Sequence, residues 1–300
     1  MHSHNVEDCP PGFVSFTAND EFRVPCGVSR VRVLAVGGGS GGGSGNAGGG
    51  ASGYVKYGEF AVEPGITISV IIGAGGLGSN FKKNDLYQDS KAGGRSSFGL
   101  YISAEGGGVA CSMKAASGGS GGGEGCEGPC WSGAGGSGGS DGNKSSIASQ
   151  QCHSPGSGQQ SYEPVLQHFK RNALIPGAGG RAVFLDFPGG GGAGGLLING
   201  RGPTASKGKD GGAYGGIGYG AGGGGGYLNR TSDSNGWNYH PGGTGASGLV
   251  YIEWYWKGET RELLQQPIQT HIFKKYENNE KIKGNKSRVL PIIINSMIIV

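Results

Sequence analysis

Glycine runs through this chain so densely that it limits every other choice the fold can make. The stretches 37–53, 106–142 and 189–226 are dominated by it. In all, 70 of 300 residues are glycine, where a chain of this length ordinarily carries about 20. Glycine has no side chain to bury and loses the most conformational entropy on folding. A folded glycine-rich region therefore needs dense backbone hydrogen bonding; without it the region is a flexible linker. The glycines do not recur strictly at every third residue, which excludes collagen. Strand-like apolar runs punctuate them, so the chain is not disordered throughout. The conventional core must come from the Val, Ile, Leu, Phe and Tyr between the tracts.

Those runs predict a mainly β fold, a small sandwich-like β-scaffold joined by glycine-rich tracts. FVSF at 13–16 and FRV at 22–24 read as short strands, and Pro25-Cys-Gly27 as a turn. VSRVRVLAV at 28–36 is a longer strand, with Val31, Val33 and Ala35 on one face and Arg32 and Leu34 on the other. Residues 54–62 alternate again, and 66–72 follow after Glu63-Pro-Gly65; two strands across a Pro-Gly turn predict a β-hairpin. SSFGLYISAE at 96–105 reads as one strand, 182–187 as another, and GLVYIEWYW at 248–256 as a closing strand. In the less glycine-rich insertion 143–175, Val165, Phe169 and Ala173 are spaced by four and predict one short helix between Pro164 and Pro176. The expected organisation is an N-terminal extension (1–12), a glycine-rich β-domain (13–256) and a basic tail without fixed structure (257–300).

Charge and cysteine narrow the function classes. The tail holds eight Lys/Arg against four Asp/Glu, which accounts for the whole net charge of +4. The body has no positive excess for nucleic-acid phosphates. PIIINSMIIV, ending the chain, is about half the length of a bilayer span, so no membrane anchor is expected. Six cysteines, Cys9, Cys26, Cys111, Cys126, Cys130 and Cys152, suit a disulfide-bonded extracellular protein. Cys9 with Cys26 is a reasonable pair across the first hairpin, formed by the strands at 13–16 and 22–24; the other four allow three pairings. Asn143 and Asn229 open N-glycosylation sequons, as does Asn285 in the tail. The N-terminus shows no apolar signal region, so the extracellular reading takes it as incomplete; the alternative is a cytosolic protein with free thiols.

Three motifs suggest chemistry. Gly73-Ala-Gly75-Gly-Leu-Gly78 spells a dinucleotide fingerprint after an apolar run. In a chain this rich in glycine the pattern arises by chance, and no amphipathic helix follows it, so nucleotide binding is a remote alternative. Ser120 and Ser137 lie in G-x-S-x-G patterns open to the same objection. Cys126 and Cys130 have metal-like spacing, with Cys152 and His153 downstream, but zinc needs four well-placed ligands and disulfides are the preferred reading. No cofactor and no metal are expected. Trp131, Tyr227, Trp237, Tyr239 and His240 flank the glycine tracts. They either cap the glycine region or contact a ligand, since aromatics dominate binding hot spots and loops carry function. Loops 79–92 and 227–241 are the expected binding surface.

A family resemblance joins these pieces. Phe22-Arg-Val-Pro-Cys-Gly-Val28, Val31-Arg-Val-Leu-Ala-Val-Gly-Gly-Gly39, Gly53-Tyr-Val, Val62-Glu-Pro-Gly65, Ile68-Ser-Val-Ile-Ile-Gly73, Gly94-Arg-Ser-Ser-Phe-Gly99 and Gly245-Ala-Ser-Gly-Leu-Val-Tyr-Ile-Glu-Trp254 occur in that order. The set resembles the glycine-rich domains of phage tail-fibre adhesins, and more loosely the glycine-rich ectodomain of anaplastic-lymphoma-kinase-type receptors. It covers roughly residues 20–255; the cysteines, the insertion and the tail depart from it. The resemblance implies polyglycine-II helices packed side by side, each with three residues per turn and no internal hydrogen bonds. The expected function is that of a non-enzymatic, extracellular structural or adhesive protein. The alternative is a secreted or receptor-ectodomain module binding a protein or glycan ligand, and self-association is a further possibility.

Overall fold

The computed structural model describes residues 12–80, 90–110, 115–126, 130–146, 155–169, 174–185, 187–209, 212–230 and 236–254. Residues 1–11 of the expected N-terminal extension and the tail beyond 256 lie outside them, as do Cys9, Cys111, Cys152, His153 and Asn285; Gly12, expected in the extension, opens the first strand. In chain order the strands are β1 (Gly12–Phe16), β2 (Asp20–Arg23), β3 (Arg30–Val36), β4 (Val55–Ala61), β5 (Thr67–Ile71), β6 (Ser96–Phe98), β7 (Ile102–Ala104) and β8 (Cys130–Trp131). The one-turn helix α1 (Glu163–Leu166) follows. Then come β9 (Leu174–Pro176), β10 (Phe184–Leu185), β11 (Leu196–Ile198), β12 (Leu228–Arg230), β13 (Trp237–Tyr239) and β14 (Leu249–Trp254).

Two antiparallel four-stranded sheets dominate, ordered β1-β14-β3-β4 and β2-β5-β6-β7. The fold is mainly β, as the sequence predicts, but two expected pairings are wrong. β4 pairs with β3, whereas β5 pairs with β2 and β6. The turn at Glu63-Pro-Gly65, where Gly65 takes a φ of +82°, therefore carries the chain from one sheet to the other and closes no hairpin. β1 and β2 divide in the same way, β1 against β14 and β2 against β5. Alternation identifies a strand but not its partner; burial of both inner faces decides that. The expected single strand 96–105 is in fact the hairpin β6–β7, with Phe98 opposite Ile102.

The faces of β3 follow the sequence reading. Val31, Val33 and Ala35 join Phe22, Ile68, Val70, Phe98, Val250 and Ile252 in the core between the sheets. Leu34 and Val36 point the other way, into a second cluster with Val55, Leu249 and Tyr251. The insertion covers that second face with Tyr162, Leu166, Phe169 and Leu174. Its helix is shorter than the spacing suggests: Pro164 stands in the first turn and the helix stops at Leu166, while Ala173 lies outside the described residues. Tyr162 is fully buried, its hydroxyl 3.0 Å from Ser52 Oγ and 3.3 Å from Ser120 Oγ. The insertion is thereby anchored to two glycine tracts.

The tracts leave the sandwich from one end. Val36 is opposite Val55 and Leu249, and in the other sheet Ile71 is opposite Ser97 and Ser96 opposite Ala104. Stacked sheets stand about 10 Å apart because side chains fill the gap. Once glycine replaces those side chains, the two sets of chains bond to each other directly: Gly38 N–H to Gly94 O, Tyr54 N–H to Glu105 O, and Gly248 N–H to Gly73 O, at 2.8–2.9 Å.

The bonding has a period of three. From Gly37 to Gly43 the successive N–H groups donate to Tyr54, Gly94, Ala246, Ala51, Lys91, Gly243 and Gly48. The first, fourth and seventh partners belong to one segment, the second and fifth to another, the third and sixth to a third. Residues 190–195 repeat the rule, donating in turn to Ala47, Gly133, Tyr214, Gly50, Gly136 and Ile217. Carbonyls obey it too: Gly39 and Gly42 accept from Gly76 and Ser79, and Ser40 and Gly43 from Gly223 and Gly226. A tract is thus bonded on all sides. Its Cα hydrogens face carbonyl oxygens: a Cβ on Gly39 would overlap the Ala221 carbonyl, and one on Gly192 the Gly222 carbonyl. Where the packing leaves a gap, alanine methyls from separate tracts fill it, as in the trios Ala51, Ala110, Ala116 and Ala205, Ala221, Ala246.

Two outcomes are expected. Gly39→Ala and Gly192→Ala each press a methyl into fixed backbone, so calorimetry should show about 3 kcal/mol or more lost. Gly200→Ala meets no atom within 4 Å and has only its φ of +70° to overcome, so it should cost about 1–2 kcal/mol. Equal losses would refute the packing account. Burial is the main cause that pushes the Tyr162 hydroxyl above its ordinary 10.0, against weaker opposing hydrogen bonds from Ser120 and Ser52. The unfolded chain releases that proton near its ordinary value and the folded chain retains it. This contribution to stability is therefore full below pH 10 and declines as pH rises beyond it. Tyr162→Phe should cost about 1–2 kcal/mol at neutral pH and flatten the alkaline decline measured by denaturant titration.

Candidate functional site

The tracts end, away from the sandwich, in an aromatic tip. Gly43 accepts from Gly226 N–H, Gly226 accepts from Gly189 N–H, and Gly45 N–H donates to His240 O at 3.0 Å. Cys126 N–H reaches Pro188 O and Leu228 N–H reaches Phe187 O. The stretch expected to be a loop at 227–241 contains the hairpin β12–β13, with Asn229 opposite Asn238 and Arg230 opposite Trp237. β8 and β10 pair beside it, Phe184 opposite Trp131.

The five expected ligand-contact residues divide into two roles. Tyr227, Tyr239 and His240 are half-buried and hold the tip together. Tyr227 stacks on His240 at 5.5 Å. His240 Nε2 meets Asn229 Oδ1 at 3.1 Å, and bonding to that oxygen requires the proton on Nε2. Tyr239 lies over the turn at Gly45, whose φ is +64° and where a Cβ would come within 2.9 Å of the ring. Trp131 and Trp237 are the outward pair, 55% and 39% exposed. Sequence reasoning missed their companions. Phe184, also 55% exposed, has its ring 5.6 Å from that of Trp131. Phe187 meets Trp237 edge-on at 4.9 Å, and the Arg230 guanidinium lies 5.3 Å from the Trp237 ring. Phe184 and Phe187 are three residues apart, so their Cα atoms are at most about 11 Å apart, which keeps both aromatic pairs on one small surface. Their signal was two phenylalanines in a segment read only as a strand.

Cys126 and Cys130 form a disulfide at the tip, with Cα atoms 6.5 Å apart, immediately before Trp131. Their sulfurs are consequently not zinc ligands. Cys26 is disulfide-bonded as well. The fingerprint glycines have their approach faces occupied: a Cβ on Gly73, Gly75 or Gly78 would meet the carbonyls of Gly94, Gly245 or Gly242. The backbone therefore presents neighbouring chains where a pyrophosphate would have to approach. Ser120 is buried, its Oγ bonded by Gly139 N–H at 3.0 Å, and Ser137 belongs to a turn closed by Ser140. Within loop 79–92, residues 81–89 lie outside those described. Among the described residues, no helix is long and apolar enough to cross a membrane.

A family model described as a glycine-rich domain matches residues 16–255 of the chain. No curated protein matches it significantly.

The two sequons within the matched region are displayed differently. Asn143 is exposed, and its backbone is fixed by bonds to Ala134 O and from Glu124 N–H. The Asn229 amide is half-buried and engaged by His240. Secreted from a glycosylating host, the protein should carry glycan at Asn143 in clear excess over Asn229, read by mass spectrometry after enzymatic deglycosylation. Equal occupancy would contradict this.

Proposed function

The chain belongs to the glycine-rich domain family, and from that membership we propose a non-enzymatic, extracellular structural or adhesive protein whose contact surface is the aromatic tip. The observation carrying this reading is the exposed Trp131, Phe184 and Trp237 at the end of a hydrogen-bonded glycine scaffold. The three-residue recurrence of bonding partners supports an interpretation of the tracts as packed polyglycine-II helices, which have three residues per turn. Such a scaffold is suited to holding a surface rigidly, because its backbone donors and acceptors are committed to neighbours. The Cys126–Cys130 disulfide supports an oxidising compartment. The occupied faces of Gly73, Gly75 and Gly78 weigh against the nucleotide alternative.

The second reading is a secreted or receptor-ectodomain module with one specific protein or glycan ligand. The cation beside Trp237 favours it, since Trp, Tyr and Arg dominate hot spots. A glycan array and a surface-adhesion assay on wild type, Trp131→Ala and Trp237→Ala separate the readings. Adhesion to many surfaces, reduced about tenfold or more by either substitution, is the expected result. Saturable binding to a single ligand would favour the module. Adhesion untouched by both substitutions would remove the tip from the function. Tyr239→Ala serves as the structural control, expected to lower the melting temperature because its ring covers Gly45.

A further inference from the structure

The open lateral edge of the sandwich, between β4 and β7, holds a different constellation. Side chains along β4 alternate between the faces of their sheet. Val55 and Tyr57 lie on the face covered by the insertion, where Tyr57 stacks on His168. Lys56 and Phe60 share the opposite face, and Phe60 packs against the core between the sheets. Lys56 is thus a charge at an inward-facing position of an edge strand, and it is exposed. It lines a groove of about 410 Å³ together with Arg95, Ser97, Tyr101 and Ser103.

The groove is built. Ser97 and Ser103 are opposite each other in the β6–β7 register. The Tyr101 ring is braced at 5.5 Å by Phe60 and at 5.7 Å by Phe98, and the residue remains 39% exposed. The ion pairs among the described residues join Arg30 and Arg32 to Glu59. Among those residues Lys56 and Arg95 therefore have no carboxylate partner.

We propose that this groove binds an anionic sugar, a uronic acid or a sugar sulfate. Its oxyanion lies between Lys56 and Arg95, where the guanidinium offers paired N–H donors and the ammonium a point charge. Ring hydroxyls of the sugar meet Ser97 and Ser103, and its apolar face rests on Tyr101. A few convergent polar groups beside an apolar wall is the usual composition of a small-ligand site. The inference does not depend on the tip, which is a separate surface. The competing account is that Lys56 only guards the edge, since an inward-pointing lysine discourages edge-to-edge pairing.

Nuclear magnetic resonance titration of the full chain decides between them. The probes are methyl glucuronide, a glucose sulfate, uncharged methyl glucoside and inorganic sulfate. The two sugar acids should shift amides in 95–103 saturably; the glucoside should not, and sulfate should bind more weakly. Lys56→Gln and Arg95→Gln should each weaken the sugar acids by about tenfold or more, the scale of one lost charged hydrogen-bond partner. The melting temperature should not change, because both side chains are exposed. No saturable shift, or unchanged affinity in the double variant, overturns the proposal. Sulfate binding as tightly as the sugar acids overturns the sugar assignment. Self-association of Lys56→Gln with no sugar-acid binding by wild type identifies an edge guard and refutes the site.

Discussion

The rest of this structure depends on the hydrogen bond between one glycine backbone and the next, made where no side chain separates them. Glycine in an ordered segment is less favourable than alanine by about 0.5–1 kcal/mol. A typical intramolecular hydrogen bond returns about 1 kcal/mol net. One bond per residue therefore roughly offsets the extra entropy glycine loses relative to alanine. A buried N–H left without a partner would cost about 1–3 kcal/mol. The tracts are stable only as a set, because each supplies the partners of the others. That is why Gly39 and Gly192 admit no methyl while Gly200, in a turn, has space for one.

The β-sandwich sets the set in place. Its two sheets bring the chain ends at Val36, Val55, Ile71, Ser96, Ala104 and Leu249 to one end. From there the spacing contracts from side-chain packing to direct backbone contact. The insertion belongs to the same scheme. It covers the face of β3 and β14 that the second sheet leaves bare, and it locks to the tracts through Tyr162, Ser52 and Ser120. The scaffold then hands its bulky residues to its far end, where Trp131, Phe184 and Trp237 stand exposed on short strand pairs fixed by the Tyr227–His240 stack.

Much of this was legible in the chain. The positions of the longer sandwich strands β1 to β5 and β14, the alternation of β3 and the need for folded tracts to bond one another follow from side-chain period and from glycine's lack of a core-forming group; β12 and β13, in a stretch that reads as a loop, do not. Trp131 and Trp237 were legible as surface aromatics because they flank glycine runs. Their partners Phe184, Phe187 and Arg230 were not, because they come from separate segments brought together only by the β8–β10 and β12–β13 pairings. The groove at Lys56 was invisible for a related reason. A lysine in an alternating strand reads as outward, and only the sheet order makes its position an inward one.

By itself the sequence determined that the conventional core is a modest β-core and that the glycine segments, if folded, must rely on backbone bonding, since they have no side chains to bury. Tertiary structure alone decided which strands meet. The Pro-Gly turn at 64–65 is compatible with a hairpin or with a crossing between sheets, and local geometry does not distinguish them. Burying Val31, Val33 and Ala35 against Ile68 and Val70 does. That choice places β4 and β5 in opposite sheets, and the tract before β4 and the tract after β5 can then bond across the gap, as Gly76 N–H does to Gly39 O.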